Sequence, residues 1–126
     1  ALFKKYPSEK YLLPSSDVLG PEIPKVLDAA NVDWTKAVMY KTVASDLTDI
    51  TIKDYDMLVF FSHQGIKSLG INFPEFKQEE TKIAVFGTTT QAAAEEAGLT
   101  VNVMAPTKET PSMTMAIEKY IKSINR

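Results

Sequence analysis

The residues best suited to chemistry lie in three polar turns, each of which follows an apolar run. The turns are "PSSD" at 14–17, "SHQG" at 62–65 and "GTTTQ" at 87–91. Hydroxyl side chains and the unpartnered amides at the start of a following helix form a cradle for anions, and the helix dipole favours negative charge there. The three turns therefore predict a site for a ligand with several carboxylates or phosphates. The alternative is that these residues serve only as helix N-caps, a role in which Ser, Thr and Asp are common.

Ser62 and His63 raise the question of a nucleophile with its base. Neighbouring residues at the end of a strand point to different sides, so the two are poorly placed to share a proton, and no Gly-x-Ser-x-Gly elbow is present. The chain has one histidine and no cysteine, which leaves no soft-ligand set for a metal. We interpret His63 as an exposed first-turn residue or a direct ligand contact, and we expect no metal site.

The turn "GTTTQ" also lacks the features of known cofactor loops. No Gly-Lys-Ser/Thr follows it as in a phosphate-binding loop, and no further glycines stand at dinucleotide spacing. Asp17 is the only acid in the three turns, so no carboxylate pair is available for general acid–base catalysis. The turn therefore matches neither a Walker-type phosphate loop nor a dinucleotide-binding loop.

Length and composition predict one domain over residues 1–126. The chain has 14 basic and 16 acidic residues, which gives no electrostatic reason to bind nucleic acid. The absence of cysteine fits a reducing compartment. We expect neither a signal peptide nor a membrane span, because Lys4 interrupts the N-terminal apolar run and no apolar stretch is long enough. These features predict a cytoplasmic protein.

Apolar periodicity predicts an alternation of strands and helices. Strands are expected at 10–16, 34–43, 55–61, 82–87 and 100–106, and helices at 20–31, 64–73, 89–98 and 111–126. The polar stretch 44–54 has no clear pattern. Such an alternation predicts a three-layer α/β sandwich with one five-stranded, mostly parallel sheet in the flavodoxin-like order.

Three longer runs of sequence resemble the C-terminal half of the uroporphyrinogen-III synthase family. They are "MLVFFSHQGIKSL", "TKIAVFGTTTQAAAEEAGLTVNVMAP" and "PSMTMAIEKYI", and "YLLPSSD" and "VMYKTV" match earlier strands of that family. The resemblance implies a cofactor-free lyase of tetrapyrrole biosynthesis that closes linear hydroxymethylbilane, which carries eight carboxylates, into a ring. It also implies that Tyr40 is a candidate acid for the departing hydroxyl, and the alternative is that Tyr40 is a core tyrosine on a half-buried strand. The implied substrate-binding residues are Ser15, Ser16, Ser62, His63, Gln64, Gly65, Thr88, Thr89 and Thr90.

The chain departs from the family pattern at several positions. Family members are about twice as long, so one wall of their interdomain cleft is absent here. His63 and Gln64 replace Pro-Ser, Thr88 and Lys108 stand where prolines are common, and Gly70-Ile71 interrupts a helix. These departures favour an excised, redesigned fragment that is inactive on its own.

The resemblance leaves two assemblies open. In the full-length family the chain crosses between domains near "YKTVASD", so an isolated half either closes on itself or exchanges its N-terminal unit with a second copy. We expect a monomer, with a strand-swapped homodimer as the alternative. The functional alternatives to half a synthase are an anion-binding module and an engineered flavodoxin-like scaffold without a ligand. A linear tetrapyrrole or another polyanion is the expected small-molecule partner.

Overall fold

The computed structural model of the chain describes residues 2–125. Five helices and five strands follow one another, with a short 3₁₀ turn at Ile52–Asp54. In chain order they are α1 (Leu2–Lys5), β1 (Lys10–Ser16), α2 (Glu22–Ala29), β2 (Asp33–Tyr40), β3 (Met57–Phe60), α3 (His63–Asn72), β4 (Lys82–Phe86), α4 (Thr88–Glu96), β5 (Val103–Ala105) and α5 (Met113–Ile124). They fall into two compact units, unit 1 (Ala1–Val43) and unit 2 (Ala44–Arg126).

Unit 1 contains a two-stranded parallel sheet of β1 and β2 with α2 on one face. Tyr11 pairs with Trp34 in the sheet, and the Trp34 indole Nε1 donates a hydrogen bond to the Asp28 carboxylate of α2 at 2.8 Å. Leu27 of α2 is buried. The opposite face carries Leu12, whose side chain is 64% exposed. Unit 1 therefore leaves Leu12 exposed on that face.

Unit 2 contains a parallel sheet in the order β3-β4-β5 with helices on both faces. Ile83 and Val85 of β4 pack into a cluster with residues of α3 and α4. Ala84 of β4 packs on the other face with Met113 and Ala116 of α5. The central strand β4 is thus buried on both faces, which explains its nearly continuous apolar sequence.

The start of unit 2 is held to the end of α3 by one side chain. The Leu47 amide donates to the Asn72 Oδ1 at 2.9 Å, and the Asn72 Nδ2 donates to the Ser45 carbonyl at 2.9 Å. The same amide group also donates to the Ser68 carbonyl at 3.0 Å. Asn72 therefore fixes an otherwise irregular segment against unit 2.

The expected single five-stranded sheet is wrong, because the strands form one sheet of two and one sheet of three. Parallel neighbours need a crossover connection of a dozen or more residues, usually a helix. The segment between β2 and β3 forms only the 3₁₀ turn at Ile52–Asp54. The α/β class, parallel pairing and helices on both faces of the unit 2 sheet are confirmed, whereas the single domain over residues 1–126 stays a prediction.

Most elements were placed correctly by periodicity, with ends displaced by a few residues. β1 coincides with the expected strand at 10–16, and α4 is followed by Gly98 at φ 78°, as expected for a helix closed by glycine. The apolar residues of α5 differ in burial, because Met113 is buried whereas Ile121 and Ile124 are exposed. α1 was not expected. No helix in residues 2–125 is of the length and apolarity that crossing a bilayer requires.

Two glycines provide a matched test of the backbone. Gly87 has φ 86° between β4 and α4, and a Cβ added there would meet no atom within 4 Å beyond its chain neighbours. Gly87→Ala should lower the free energy of unfolding by about 1–2 kcal/mol, because an L-residue is strained in that conformation. Gly70 lies within α3 in open space, so Gly70→Ala should raise the same quantity by about 0.5–1 kcal/mol. Urea unfolding measures both, and equal effects of the two substitutions would contradict the assignment.

Candidate functional site

The carboxyl ends of β3, β4 and β5 bring three turns to one edge of the unit 2 sheet, which we call the carboxyl edge. The Gly87 amide donates to the Ala105 carbonyl at 2.7 Å, which ties the turns after β4 and β5 together. The rings of Phe61 and Phe86 lie 6.0 Å apart and connect the ends of β3 and β4. Helices α3, α4 and α5 all begin at this edge, so their partially positive N-termini lie along it.

The start of α3 carries the expected residues of the "SHQG" turn. Ser62 is the N-cap residue, but its side chain makes no capping hydrogen bond and is exposed. The His63 ring contacts the Gln64 side chain amide, with Nε2 of each residue 3.1 Å apart. Gly65 lets α3 approach β3 closely, because a Cβ there would lie 3.1 Å from Cδ1 of Phe60. His63 and Gln64 thus interact with each other, and Ser62 keeps a free hydroxyl.

The start of α4 presents two of the three expected threonines. Gly87 is the N-cap and has no side chain to offer, while Thr88 and Thr89 are exposed. Thr90 is only 3% exposed and faces the interior of unit 2. The amides at the start of α4 therefore have exposed hydroxyls beside them, whereas the Thr90 hydroxyl is withdrawn from the surface.

The start of α5 differs from the other two because a side chain of its own N-cap residue accepts a hydrogen bond from a helix amide. The Met115 amide donates to the Ser112 Oγ at 3.3 Å, as in an ordinary N-cap. In the preceding turn the hydroxyls of Thr107 and Thr110 lie 2.7 Å apart, and the Thr110 amide donates to the Thr107 Oγ1 at 3.0 Å. An ordinary side-chain cap is therefore present at Ser112, which lies outside the three polar turns, whereas Ser62 makes no such capping bond.

Two residues at the carboxyl edge were not predicted as part of a site. The expected strand at 55–61 included Phe61, yet this residue follows β3 and is 65% exposed. Lys108 lies in the turn after β5, and the sequence indicated it only as a departure from the family pattern. Its signal in the sequence was its position two residues after the "MAP" end of a strand.

The charges near the α5 turn are not equivalent. The Lys119 ammonium hydrogen-bonds the Glu109 carboxylate and lowers the pKa of that carboxyl below its ordinary value. Lys119 is therefore engaged by an acid. Lys108 forms no ion pair with any residue from 2 to 125 and so contributes a positive charge to the carboxyl edge.

A groove of about 560 Å³ runs between α3 and α4 behind their first turns. Its lining includes His63, Lys67, Thr89 and Glu96. His63 and Thr89 therefore share a surface, although they belong to different turns. The groove carries one positive and one negative side chain and so has no strong preference for either charge.

The expected residues of unit 1 lie at the carboxyl end of its own sheet. The hydroxyls of Ser15 and Ser16 donate to the carbonyls of Ser16 and Val18 at 3.1 and 2.6 Å. Tyr40 pairs with Ser16 in the sheet and is 63% exposed, so it does not serve as a core tyrosine in unit 1. The structure thus brings Ser16 and Tyr40 together in unit 1, and separately brings Ser62 and Thr88 to one edge in unit 2.

The chemistry available at the carboxyl edge is the binding of anions beside an aromatic surface. Amides at the starts of α3 and α4, free hydroxyls and Lys108 provide donors and positive charge, and Phe61 provides an apolar ring. Within residues 2–125, no three His, Cys, Asp or Glu side chains come together as a metal site would require.

Comparison with known proteins identifies one family. The family model for uroporphyrinogen-III synthase HemD (HEM4) matches residues 1–115. A comparison with curated proteins found no match. Among solved structures, a mutant uroporphyrinogen III synthase from the extremely thermophilic bacterium Thermus thermophilus is similar, with 15% sequence identity and a TM-score of 0.60. The match covers 97% of this chain and 54% of that one, so the chain spans about half the length of the solved synthase.

Ser62 and Ser112 form a matched pair for testing the caps. Ser112→Ala removes a capping hydrogen bond and should lower the free energy of unfolding by about 1 kcal/mol. Ser62→Ala removes no such bond and should change it by less than about 0.5 kcal/mol. Urea unfolding at one pH measures both values. A destabilisation by Ser62→Ala as large as that by Ser112→Ala would show that Ser62 is an ordinary cap.

Proposed function

Because the chain belongs to the uroporphyrinogen-III synthase family, we propose that its carboxyl edge binds the carboxylates of a linear tetrapyrrole, as one half of a synthase substrate site. The family match over residues 1–115 is the observation that carries this proposal. The chain spans about half of the solved synthase, so we further propose that it binds without completing the cyclisation.

Binding would rest on the two helix starts that lack side-chain caps. The Ser62 hydroxyl and the first amides of α3 are free to donate to one carboxylate, and Thr88 and Thr89 flank the first amides of α4. Lys108 adds a positive charge on the same edge. Hydrogen bonds to a charged partner are worth about 1.5–3 kcal/mol each, so a few of them suffice for specific binding.

Phe61 would hold the apolar part of the same ligand. A pyrrole ring is flat and aromatic, and offset stacking or an edge-to-face contact with a phenyl ring adds about 0.5–1.5 kcal/mol beyond the buried area. Phe61 is exposed and braced by Phe86. An aromatic surface bordered by anion-binding turns matches a chain of pyrroles with acidic side chains better than it matches inorganic phosphate.

In a complete synthase site, Tyr40 would act at a different stage of the reaction. Ring closure requires that the terminal hydroxyl of hydroxymethylbilane leave, and a phenol can protonate that oxygen so that the C–O bond breaks with release of water. Tyr40 is exposed at the end of β2, where a ligand can reach its hydroxyl. This role needs the substrate to be held, and it requires no cofactor or metal.

A second function is favoured by one observation that does not depend on the family. Two uncapped helix starts at one edge bind any suitable anion, so the chain could be an anion-binding module without catalysis. The two functions differ in what Phe61 does. A phosphate needs only the amides and hydroxyls, whereas a tetrapyrrole also needs the ring.

Uroporphyrin, a stable and fluorescent tetrapyrrole with carboxylate side chains, is a direct probe of binding. We expect it to bind the chain, and Ser62→Ala to weaken its affinity by about tenfold through loss of a charge-assisted hydrogen bond. Ser112→Ala is the matched control and should leave the affinity unchanged. Phe61→Ala should weaken uroporphyrin binding while leaving competition by phosphate unaffected. Equal loss with Ser62→Ala and Ser112→Ala would contradict the proposed site.

Product analysis tests the proposed lack of complete catalysis. Hydroxymethylbilane incubated with the chain should give the same isomer mixture as hydroxymethylbilane alone, which closes spontaneously to the type I ring. Chromatographic separation of the oxidised porphyrins measures the isomers. Formation of the type III isomer above the background would refute the proposal, and its loss in Tyr40→Phe would then identify the acid.

A further inference from the structure

We propose that His63 couples anion binding at the carboxyl edge to the uptake of one proton, so that a polyanion binds more tightly as the pH falls through the range in which histidine titrates. The inference rests on the proposed function, because it concerns the same site, and it adds a dependence on pH that the family match does not specify. Every residue that it uses lies in unit 2.

The position of His63 places its ring beside the proposed anion. His63 is the first residue of α3 and follows Ser62, the N-cap residue that makes no side-chain capping bond. The His63 side chain is half-buried and lines the groove between α3 and α4 together with Thr89. The ring therefore lies between the two helix starts whose amides are proposed to hold carboxylates.

The contact between His63 and Gln64 determines which ring nitrogen carries a hydrogen. Nε2 of the imidazole and Nε2 of the Gln64 side chain lie 3.1 Å apart. An amide nitrogen only donates, so with the amide in this orientation the ring nitrogen is the acceptor of the hydrogen bond. His63 is therefore neutral in this arrangement, with its hydrogen on Nδ1.

Protonation of His63 changes this contact. A hydrogen added to Nε2 turns the acceptor into a donor, and two donors cannot share a hydrogen bond. The Gln64 amide must then turn to present its oxygen, or move away. The charged ring carries a hydrogen on each nitrogen and makes stronger, charge-assisted hydrogen bonds to an anion. One proton thus changes both the charge of the site and the number of donors that it offers.

The charged ring has no carboxylate partner within residues 2–125. His63 forms no ion pair with any of these residues. The charged groups that line the groove with it are Lys67 of α3 and Glu96 of α4, which have opposite signs. The start of α3 is itself partially positive and supplies no negative charge. A bound anion is therefore the negative charge that compensates the proton, and this compensation couples the two binding events.

The coupling has the same size for the ligand and for the proton. A charge-assisted hydrogen bond is about twice as strong as a neutral one, so we expect the charged ring to bind an anion about tenfold more tightly than the neutral ring does. Linkage requires that the anion raise the affinity of His63 for its proton by the same factor. The coupling is therefore measurable from either side.

The affinity for uroporphyrin at two pH values is the first test. We expect fluorescence titration to show about fivefold tighter binding at about pH 6 than at about pH 8, which is less than tenfold because protonation is incomplete within this range. His63→Gln keeps a hydrogen-bonding side chain that does not titrate, and it should lose this difference while retaining any pH dependence of uroporphyrin itself. Lys67→Gln removes a positive charge from the same groove but not the titrating ring, and it should keep the difference.

Proton nuclear magnetic resonance measures the coupling without any substitution. His63 is the only histidine of the chain, so one imidazole signal reports it alone. Saturating uroporphyrin should move the midpoint of the pH titration of this signal upward by about one pH unit, which is the shift that a tenfold coupling requires.

The outcomes separate the coupling from the proposed function. Equal affinity for uroporphyrin at both pH values, or a difference that persists in full in His63→Gln, would refute the coupling and leave the binding site in place. An unchanged midpoint in the presence of bound uroporphyrin would refute the coupling as well. If the unsubstituted chain binds no uroporphyrin at either pH, the proposed function and the coupling are both wrong.

Discussion

Every strand pair in residues 2–125 is parallel, and this constraint determines where the chain can place a site. A parallel pair cannot be joined by a tight turn, so α3 and α4 must cross back over a face of the unit 2 sheet. Each of these helices consequently begins where a strand ends. The gathering of helix starts, and with them of free amides, at the carboxyl edge is thus a result of strand direction rather than of any one residue.

Parallel strands also require cover on both faces, and the chain meets this requirement unevenly. β4 lies between the α3–α4 cluster and the α5 cluster, and its central residues 83–85 are buried. β3 is covered on its α3 side, but Val59 and Phe61 on the other side remain open. In the part of the chain that the structure describes, the connection between β2 and β3 is the one between consecutive strands that lacks an α-helix, and it joins the two sheets. The exposed face of β3 and the lack of a crossover helix before β3 therefore occur at the same place in the chain.

Local features of the sequence were sufficient to predict the helices and strands but not to predict how the strands associate into sheets. The apolar run of β4 and the alanine-rich α4 closed by Gly98 were predictable, because burial and capping depend on neighbours in sequence. The number of sheets was not predictable, because it depends on whether β1 pairs with β3. No pattern of neighbouring residues indicates that pairing. At the site, the hydroxyl turns were found from composition, whereas Phe61 was missed because its type fits a strand as well as a turn. The burial of Thr90 depends on which side of α4 faces the interior of unit 2. Three consecutive threonines do not indicate which of them lies on that side.

Ser62 and Ser112 show what residue type alone leaves undetermined. Both are N-cap serines with extended backbones, at φ −154° and −119°, yet only Ser112 accepts a hydrogen bond from its helix. A cap at Ser62 would stabilise α3 by about 1 kcal/mol, but within residues 2–125 the Ser62 side chain accepts no capping hydrogen bond. In proteins, exceptions to the usual local hydrogen-bonding rules are expected at functional sites. The free start of α3 is therefore stronger evidence for an anion site than the presence of serine in the turn.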